Sequence, residues 1–306
     1  MKYPTVKQLR YFVALAEHGH FGNAAAACFV SQSAFSTAIR ELETLLATQL
    51  VDRTNRQVTI TAVGREVEVQ ARLVLRDLDG LVEIAGERRE PLSGDLRLGV
   101  IPTIAPFLLP AVLPTLRRRW PKLTLYLHEG QTQLIHEKLL DGELDLLLLA
   151  LPYDLRSVET LALFDDRFFL AYREGTERVD PDNYRINRLH ADSVLLLEDG
   201  HCLREHALAA CKLKDSAKIR RFAASSLLTL VEMVDADLGI TFLPEMARDS
   251  LILRNTKVRM TPVGERSSRT VGLAWRKGSG RAEEFRMLGE FLRENAAPRG
   301  QAPRGA

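Results

Sequence analysis

The chain has 306 residues, of which 46% are hydrophobic and 27% charged, with a formal net charge of +2. That is an ordinary globular balance, long enough for two or three domains, and the charge is too small to argue for nucleic acid by itself. Three cysteines exclude a disulfide scaffold and point to a reducing compartment. Met1-Lys2-Tyr3-Pro4-Thr5 leads into amphipathic sequence without a signal-peptide core. The strongest apolar run, Leu146 to Leu151, stops at Pro152 and is far too short to span a bilayer. The expectation is a soluble cytoplasmic protein with no membrane partner.

Leu9, Phe12, Val13 and Ala16 recur at helical spacing, and His20-Phe21-Gly22 breaks that helix. Asn23 is placed to cap a short second helix, Ala24 to Phe29. Ser31 or Ser33 is placed to cap a third, with Phe35, Ile39, Leu42, Leu45 and Leu46 on its buried side. Three short helices with a tight turn before the last fit a helix-turn-helix. Leu50 to Arg53 and Gln57 to Ile60 flank Thr54-Asn55-Arg56 as a small hairpin, a wing. Cys28, among apolar neighbours, reads as a core cysteine.

Here the chain resembles the LysR-type transcriptional regulators. The resemblance is carried by Leu9-Arg10-Tyr11-Phe12, His20-Phe21, Ala24 to Ala27, Val30-Ser31-Gln32-Ser33, Ser36, Ile39 to Glu43, Leu50, Asp52-Arg53 and Val63-Gly64. It implies double-stranded promoter DNA as partner. Gln32, Ser33, Ser36 and Arg40 would face the major groove, and Arg53 and Arg56 the phosphates. The residue types suit those roles, since Gln reads an adenine edge and Arg a guanine edge or phosphate. Ser33 stands where the family has proline, and Ala47 where it has glycine; both are tolerable, since serine caps well and a non-glycine residue can end a helix in another geometry. Residues 1–60 hold Lys2, Lys7, Arg10, Arg40, Arg53 and Arg56 against Glu17, Glu41, Glu43 and Asp52. A monomer that weakly basic needs the multiplied contacts of a dimer or tetramer.

Thr61 is placed to cap a long helix reaching about Arg89. Val67, Ala71, Val74, Leu78, Leu81 and Ala85 form a single narrow a/d seam, with Glu68, Arg72, Arg76 and Asp79 outside it. Such a seam needs a partner: a second copy of the helix, which the resemblance also implies, or the helix's own domain. Pro91-Leu92-Ser93-Gly94 ends the element.

Beyond it strands and helices alternate. Leu96 to Ile101, Leu123 to Leu127 and Leu144 to Leu151 read as strands, with helices at Pro106 to Arg119 and about Gln131 to Asp141. That is a parallel α/β pattern. Val158 to Phe164 and Arg167 to Tyr172 read as two short strands crossing into a second lobe. Val194 to Leu197, Ile219 to Phe222 and Ile240 to Leu243 supply that lobe's strands. Val271 to Trp275 and the helix Ala282 to Glu294 return to the first, and the Pro- and Gly-rich tail from Ala296 reads as disordered.

Within the second lobe, the buried strand Val194 to Leu197 runs through Glu198-Asp199-Gly200 into His201-Cys202 and a helix-forming stretch that ends near Cys211. Cys202 therefore sits at a helix N-terminus. The helix end, His201 and Arg204 would favour its thiolate, the form that attacks peroxides. On a helix the two sulfurs would lie about 13 Å apart along the axis, whereas a disulfide needs Cα atoms within about 7 Å. The pair has the ingredients of a redox switch that requires unwinding. Two plainer alternatives stand beside it: buried cysteines acting as small hydrophobes, and a zinc site from His201, Cys202, His206 and Cys211.

The second half resembles the peroxide-sensing OxyR branch of that family. The matching segments are Gly99 to Thr103, Leu108-Leu109-Pro110, Tyr126 to Glu129, Gln131-Thr132, Leu196 to Arg204, Cys211, Gly239 to Pro244 and Arg269 to Leu273. Leu228 stands where the branch has an acidic residue. The resemblance implies Cys202 as the peroxidatic and Cys211 as the resolving cysteine, with Thr103, Thr132, His201 and Arg269 lining a peroxide pocket. Read plainly, Thr103 and Thr132 would be helix caps and Arg269 a surface ion pair. The resemblance further implies a homodimer or homotetramer, contact with RNA polymerase, and a glutaredoxin- or thioredoxin-like dithiol reductant. It implies no cofactor, no metal and no enzymatic turnover.

The expected architecture is thus an α-helical winged helix-turn-helix domain at 1–60, a linker dimerisation helix at 61–90, and a two-lobed α/β periplasmic-binding-protein-like regulatory domain at 91–306. Lobe I would take about 91–165 and 268–296, and lobe II about 166–267. The other functions weighed are a LysR-type regulator of a small metabolite bound between the lobes, and a two-cysteine thiol peroxidase, against which the first sixty residues argue.

Overall fold

The computed structural model of the chain describes residues 3–54, 57–85, 90–181, 183–185, 189, 191–210, 218–264 and 267–296. It divides into two compact units, Met1–Arg89 with Asp141–Glu143, and Glu90–Leu140 with Leu144–Ala306. Among the described residues no helix is long and apolar enough to cross a membrane.

In the first unit α1 (Val6–His18) starts at a capping box between Thr5 and Gln8 and stops at Gly19, whose φ of 59° is left-handed. The second helix, α2 (Phe21–Ala27), begins earlier than expected. Its cap is His20, not Asn23: the His20 ring accepts from the backbone N–H of Gly22 at 3.0 Å. Ser31 caps α3 (Gln32–Leu46), accepting from Ala34 N–H at 3.3 Å. Ala47 ends α3 at φ 50°, so the left-handed geometry is kept although the residue is not glycine. Strands β1 (Val51–Thr54) and β2 (Gln57–Ile60) pair antiparallel as the wing. Glu43 ties α3 to the wing by accepting from the N–H groups of Leu50 at 2.9 Å and Val51 at 3.1 Å. The core joins Phe12, Leu15, Phe35, Ile39 and Leu42, with Tyr11 and Phe35 stacked at 4.9 Å.

Thr61 accepts from Gly64 N–H at 2.9 Å and starts α4 (Ala62–Ala85). The expected extension to Arg89 lies outside the described residues. The seam divides. Val67 packs on the first unit's core and Ala71 is buried, whereas Val74 and Leu81 are 44% and 61% exposed. Leu78 is half-buried, and the side chain of Ala85 lies outside the described set.

The second unit is built on β3 (Gly94–Val100), β4 (Leu123–Glu129) and β5 (Leu146–Leu151), parallel to one another, with α5 (Ala105–Arg119) and α6 (Thr132–Leu140) as crossovers. The next element corrects the expectation. Val158 to Tyr172 is not two short strands but one long strand, β6 (Val158–Arg173). Its polar centre, Asp165-Asp166-Arg167, mimics a turn in sequence, but inside the fold those carboxylates have partners: Thr270 donates to Asp165 and Arg269 to Asp166. The chain continues through β7 (Val194–Leu197), α7 (Cys202–Ala210), β8 (Ile219–Ala224), α8 (Leu227–Asp235), β9 (Thr241–Pro244) and β10 (Val258–Pro262). It closes with β11 (Ser268–Arg276) and α9 (Ala282–Ala296). The large sheet runs β10-β6-β11-β5-β3-β4, with β9 also on β6, while β7 and β8 pair separately. Two cores result. One gathers β3, β5, α5 and α9 around Leu96, Leu148 and Trp275; the other gathers β7, β9 and α8 around Leu195, Val231 and Phe242. The long strands β6 and β11 are antiparallel neighbours, and β6 runs on to pair with β9 and β10 at the lobe II core. The tail from 297 lies outside the described residues.

Candidate functional site

Cys202 is the first residue of α7, 4% exposed, and belongs to the lobe I core, whereas its neighbours Leu203 and Ala207 belong to the lobe II core. The helix therefore begins where the two lobes meet. The turn before it needs Gly200: its φ is 95°, and a Cβ there would stand 2.6 Å from Gln131 Oε1.

The electrostatics differ from the sequence expectation. Burial pushes the Cys202 thiol above its ordinary range; the Thr132 hydroxyl and the Arg269 cation pull it down, and Glu205 pushes it up again. Desolvation thus outweighs the helix N-terminus. Neither Arg204 nor His201 supplies the expected positive charge. Arg204 is spent on the Leu197 carbonyl at 3.1 Å and the Asp199 carboxylate at 3.0 Å. Burial holds the His201 ring below its usual value, against opposing contributions from Glu198 and a hydrogen bond to the Ser225 backbone. His201 is thus a neutral group facing lobe II.

The cation at the thiol is Arg269, on β11, 2% exposed. Its Nε donates to Asp166 at 3.0 Å, Nη1 to the Thr103 hydroxyl at 2.8 Å, and Nη2 to the Thr103 carbonyl at 2.8 Å. Asp166 is fully buried, stands directly opposite Arg269 in the β6–β11 register, and also accepts from Met246 N–H at 3.2 Å. Burial pushes the Asp166 carboxyl upward, and Arg269 opposes it. Since both Asp166 oxygens only accept, the geometry is that of the carboxylate. Thr103 is therefore no helix cap, because α5 starts without a side-chain cap, and Arg269 is no surface ion pair. Thr132, the first residue of α6, is 1% exposed, and among the described residues its Oγ1 has no partner of full hydrogen-bonding geometry. It neighbours the thiol rather than bonding to it outright.

So Cys202, Thr132, Arg269 and Thr103 come together, while the His201 ring turns to lobe II. Cys211 lies outside the described residues. Sequence reasoning missed Asp166, hidden in an apparent turn, and gave His206 only a place in the zinc alternative. Four residues after Cys202 on one helix, His206 falls on the same face. Its Nε2 bonds the Pro152 carbonyl at 2.9 Å, its Nδ1 is buried without a partner among the described residues, and burial lowers its pKa.

In the first unit Gln32, Ser33 and Arg40 are exposed along one side of α3, and Ser36, half-buried, accepts from Arg40 at 3.5 Å. Arg53 lies on β1 with its side chain outside the described set, and Arg56 is outside it altogether.

Comparison with known proteins agrees with this architecture. The family model described as the LysR substrate binding domain matches residues 89–297, and that of the bacterial regulatory helix-turn-helix protein, lysR family, matches residues 6–65. The HTH-type transcriptional regulator EstR of Acinetobacter baylyi is 39% identical over 96% of this chain and 98% of its own length. The hydrogen peroxide-inducible genes activator of Escherichia coli is 39% identical over 94% of each. A full-length OxyR variant from Pseudomonas aeruginosa superposes with a TM-score of 0.82 and 32% identity, covering 99% of this chain and 100% of that one. The chain belongs to the LysR family of bacterial helix-turn-helix regulators, on its OxyR branch.

Proposed function

We propose that the protein is a DNA-binding transcriptional regulator that senses hydrogen peroxide through Cys202. The observation that carries this reading is a buried thiol at a helix start, beside the buried Thr132 hydroxyl and a buried arginine (Arg269). The resting thiol is largely protonated, and the reactive form is the thiolate that Arg269 and Thr132 stabilise. The thiolate sulfur attacks one peroxide oxygen, the O–O bond breaks, and the leaving hydroxide takes a proton to become water. Cys202 is left as a sulfenic acid. Hydroxyls of Thr103 and Thr132 suit alignment of the peroxide, and Arg269 suits the charge on the departing oxygen.

The Cys211 thiolate then attacks the sulfenic sulfur, water leaves after protonation, and a disulfide forms. A helix from Cys202 to Ala210 cannot hold that bond, so α7 unwinds. Because Cys202 packs with lobe I and Leu203 with lobe II, unwinding disturbs both cores. That change would reorient paired copies on promoter DNA, held through Gln32, Ser33, Ser36, Arg40, Arg53 and Arg56, and alter contact with RNA polymerase. A thioredoxin- or glutaredoxin-like dithiol resets the switch, and each cycle consumes one peroxide, as befits a sensor.

The test is peptide mapping by mass spectrometry of reduced full-length protein before and after a near-stoichiometric dose of peroxide. A Cys202–Cys211 disulfide with Cys28 still a thiol is expected; survival of both thiols sinks the reading. The equal identity to EstR, whose name carries no peroxide, favours a regulator of a small metabolite as the second reading. A promoter that does not respond to peroxide in the wild type, and responds equally to a bound metabolite in wild type and Cys202→Ser, would select it.

A further inference from the structure

Arg269 is a buried cation held at four points. Nε reaches Asp166, Nη1 and Nη2 reach Thr103, and Nη2 also lies 3.6 Å from Met246 Sδ. Guanidinium carries five N–H donors in a rigid fork. Those contacts take Nε, both hydrogens of Nη2 and one of Nη1, so among the described residues the second Nη1 hydrogen has no partner. Asp166 is the only one of these anchors that carries a charge. It is itself fixed, by its register opposite Arg269 on the neighbouring strand and by Met246 N–H. The anchors also span the second unit: Thr103 stands between β3 and α5 of lobe I, Met246 just after β9 of lobe II, and Asp166 midway along β6.

We propose that Asp166 is the positioning residue of the thiol centre, acting only through Arg269: it fixes the guanidinium so that the uncommitted Nη1–H serves the Cys202 sulfur and the oxygen that leaves it. The inference rests on the peroxide reading above. Asp166 touches neither sulfur nor peroxide and is not a catalytic residue. The groups acting on the thiol are Thr132 from α6, Arg269 from β11 and Glu205 from α7 itself, and Tyr153 after β5 also faces it. Arg269 is the only cation among them, so its placement governs how far the thiolate is favoured.

The experiment compares full-length, reduced wild type with Asp166→Asn, Asp166→Glu, Arg269→Gln and the double variant Asp166→Asn/Arg269→Gln. Two quantities are read at the Cys202 peptide by mass spectrometry: the rate of oxidation by hydrogen peroxide, and the pH profile of alkylation by iodoacetamide. Asp166→Asn is expected to slow oxidation by about tenfold to a hundredfold, the cost of a misplaced catalytic group, and to move the alkylation profile to higher pH. Asp166→Glu restores part of both. In the Arg269→Gln background, Asp166→Asn adds no further loss, because its only route of action is gone.

An unchanged rate and profile in Asp166→Asn overturns the proposal. So does a profile moved to lower pH with faster oxidation, which would make Asp166 a brake on the charge of Arg269. If Asp166→Asn does not fold, with its arginine buried and unpaired, the two Arg269→Gln proteins decide, since the double variant buries no charge and Arg269→Gln alone leaves only a carboxyl that neutralises by taking up a proton; a double variant slower than Arg269→Gln alone overturns the proposal. If wild-type Cys202 resists peroxide, the peroxide reading fails by itself. The alkylation profile needs no peroxide and still decides on Asp166.

Discussion

At the scale of single residues, burial and charge compete at Cys202, and burial wins at rest. The thiolate fraction therefore grows as pH rises through and beyond the ordinary thiol range, and reactivity grows with it. Thr132 opposes burial with a single hydroxyl. Thr132→Val keeps the volume and removes that donor, so the thiol moves further up and oxidation at fixed pH slows by about tenfold, the worth of one hydrogen bond to a charged group. Stopped-flow oxidation of the two proteins across pH measures this; equal rates would remove Thr132 from the centre. That Cys202 begins a helix was legible from Asp199-Gly200 and the helix formers after it. The identity of its cation was not legible from the residues themselves; only the family resemblance named Arg269. Arg204 is near in sequence and spent elsewhere, while Arg269 arrives from a strand distant in sequence.

Among the elements, α3 shows how local chemistry and packing divide the work. Ser31 as its cap and Phe35, Ile39 and Leu42 as its buried face follow from spacing alone. Its end does not: Ala47 adopts φ 50°, a conformation that costs an L-residue about 1–2 kcal/mol. Ala47→Gly is expected to stabilise the first unit by about 1 kcal/mol, seen as a higher Tm in thermal unfolding of the full chain; an unchanged or lower Tm would contradict it. β6 shows the opposite error. The charged pair Asp165-Asp166 looks like a break because isolated strands cannot bury charge, yet the tertiary fold supplies Thr270, Arg269 and Met246 as partners. The helix α8 and strand β10 were missed for a related reason: short apolar runs between turns do not declare their type by periodicity.

On the scale of the whole molecule, two properties follow from how elements are placed together. On α4 the seam is satisfied by its own unit at Val67 and Ala71, but Val74 and Leu81 remain exposed, as does Val82 beside the seam. Paired copies of this helix would cover them. Leu81→Glu is expected to shift sedimentation velocity toward the monomer, and an unchanged mass would move the dimer interface elsewhere. The second property concerns pH. His201 and His206 both have folded values lowered by burial, from an unfolded value of about 6.5. The unfolded chain therefore binds their protons more readily. The stability they sustain is fully present above about pH 6.5 and is lost as pH falls through that value toward the folded ones. Thermal unfolding near pH 7.5 and 5.5 should show a lower Tm in acid, with a smaller drop in His206→Gln.

The amino-acid sequence by itself determined the architecture: a winged helix-turn-helix, a long helix with an a/d seam, and an α/β regulatory portion with a cysteine at a helix start. Those features rest on periodicity, caps and turns, which act over a few residues, and on motifs spread along most of the chain. Tertiary structure alone decided which groups surround that cysteine. Arg269 meets Asp166 because β6 and β11 pair in that register, and Thr103 closes on Arg269 from lobe I. Such contacts join residues more than a hundred positions apart. No local rule of spacing reaches that far, and burial, which sets the state of the thiol, exists only once the two cores have closed around it.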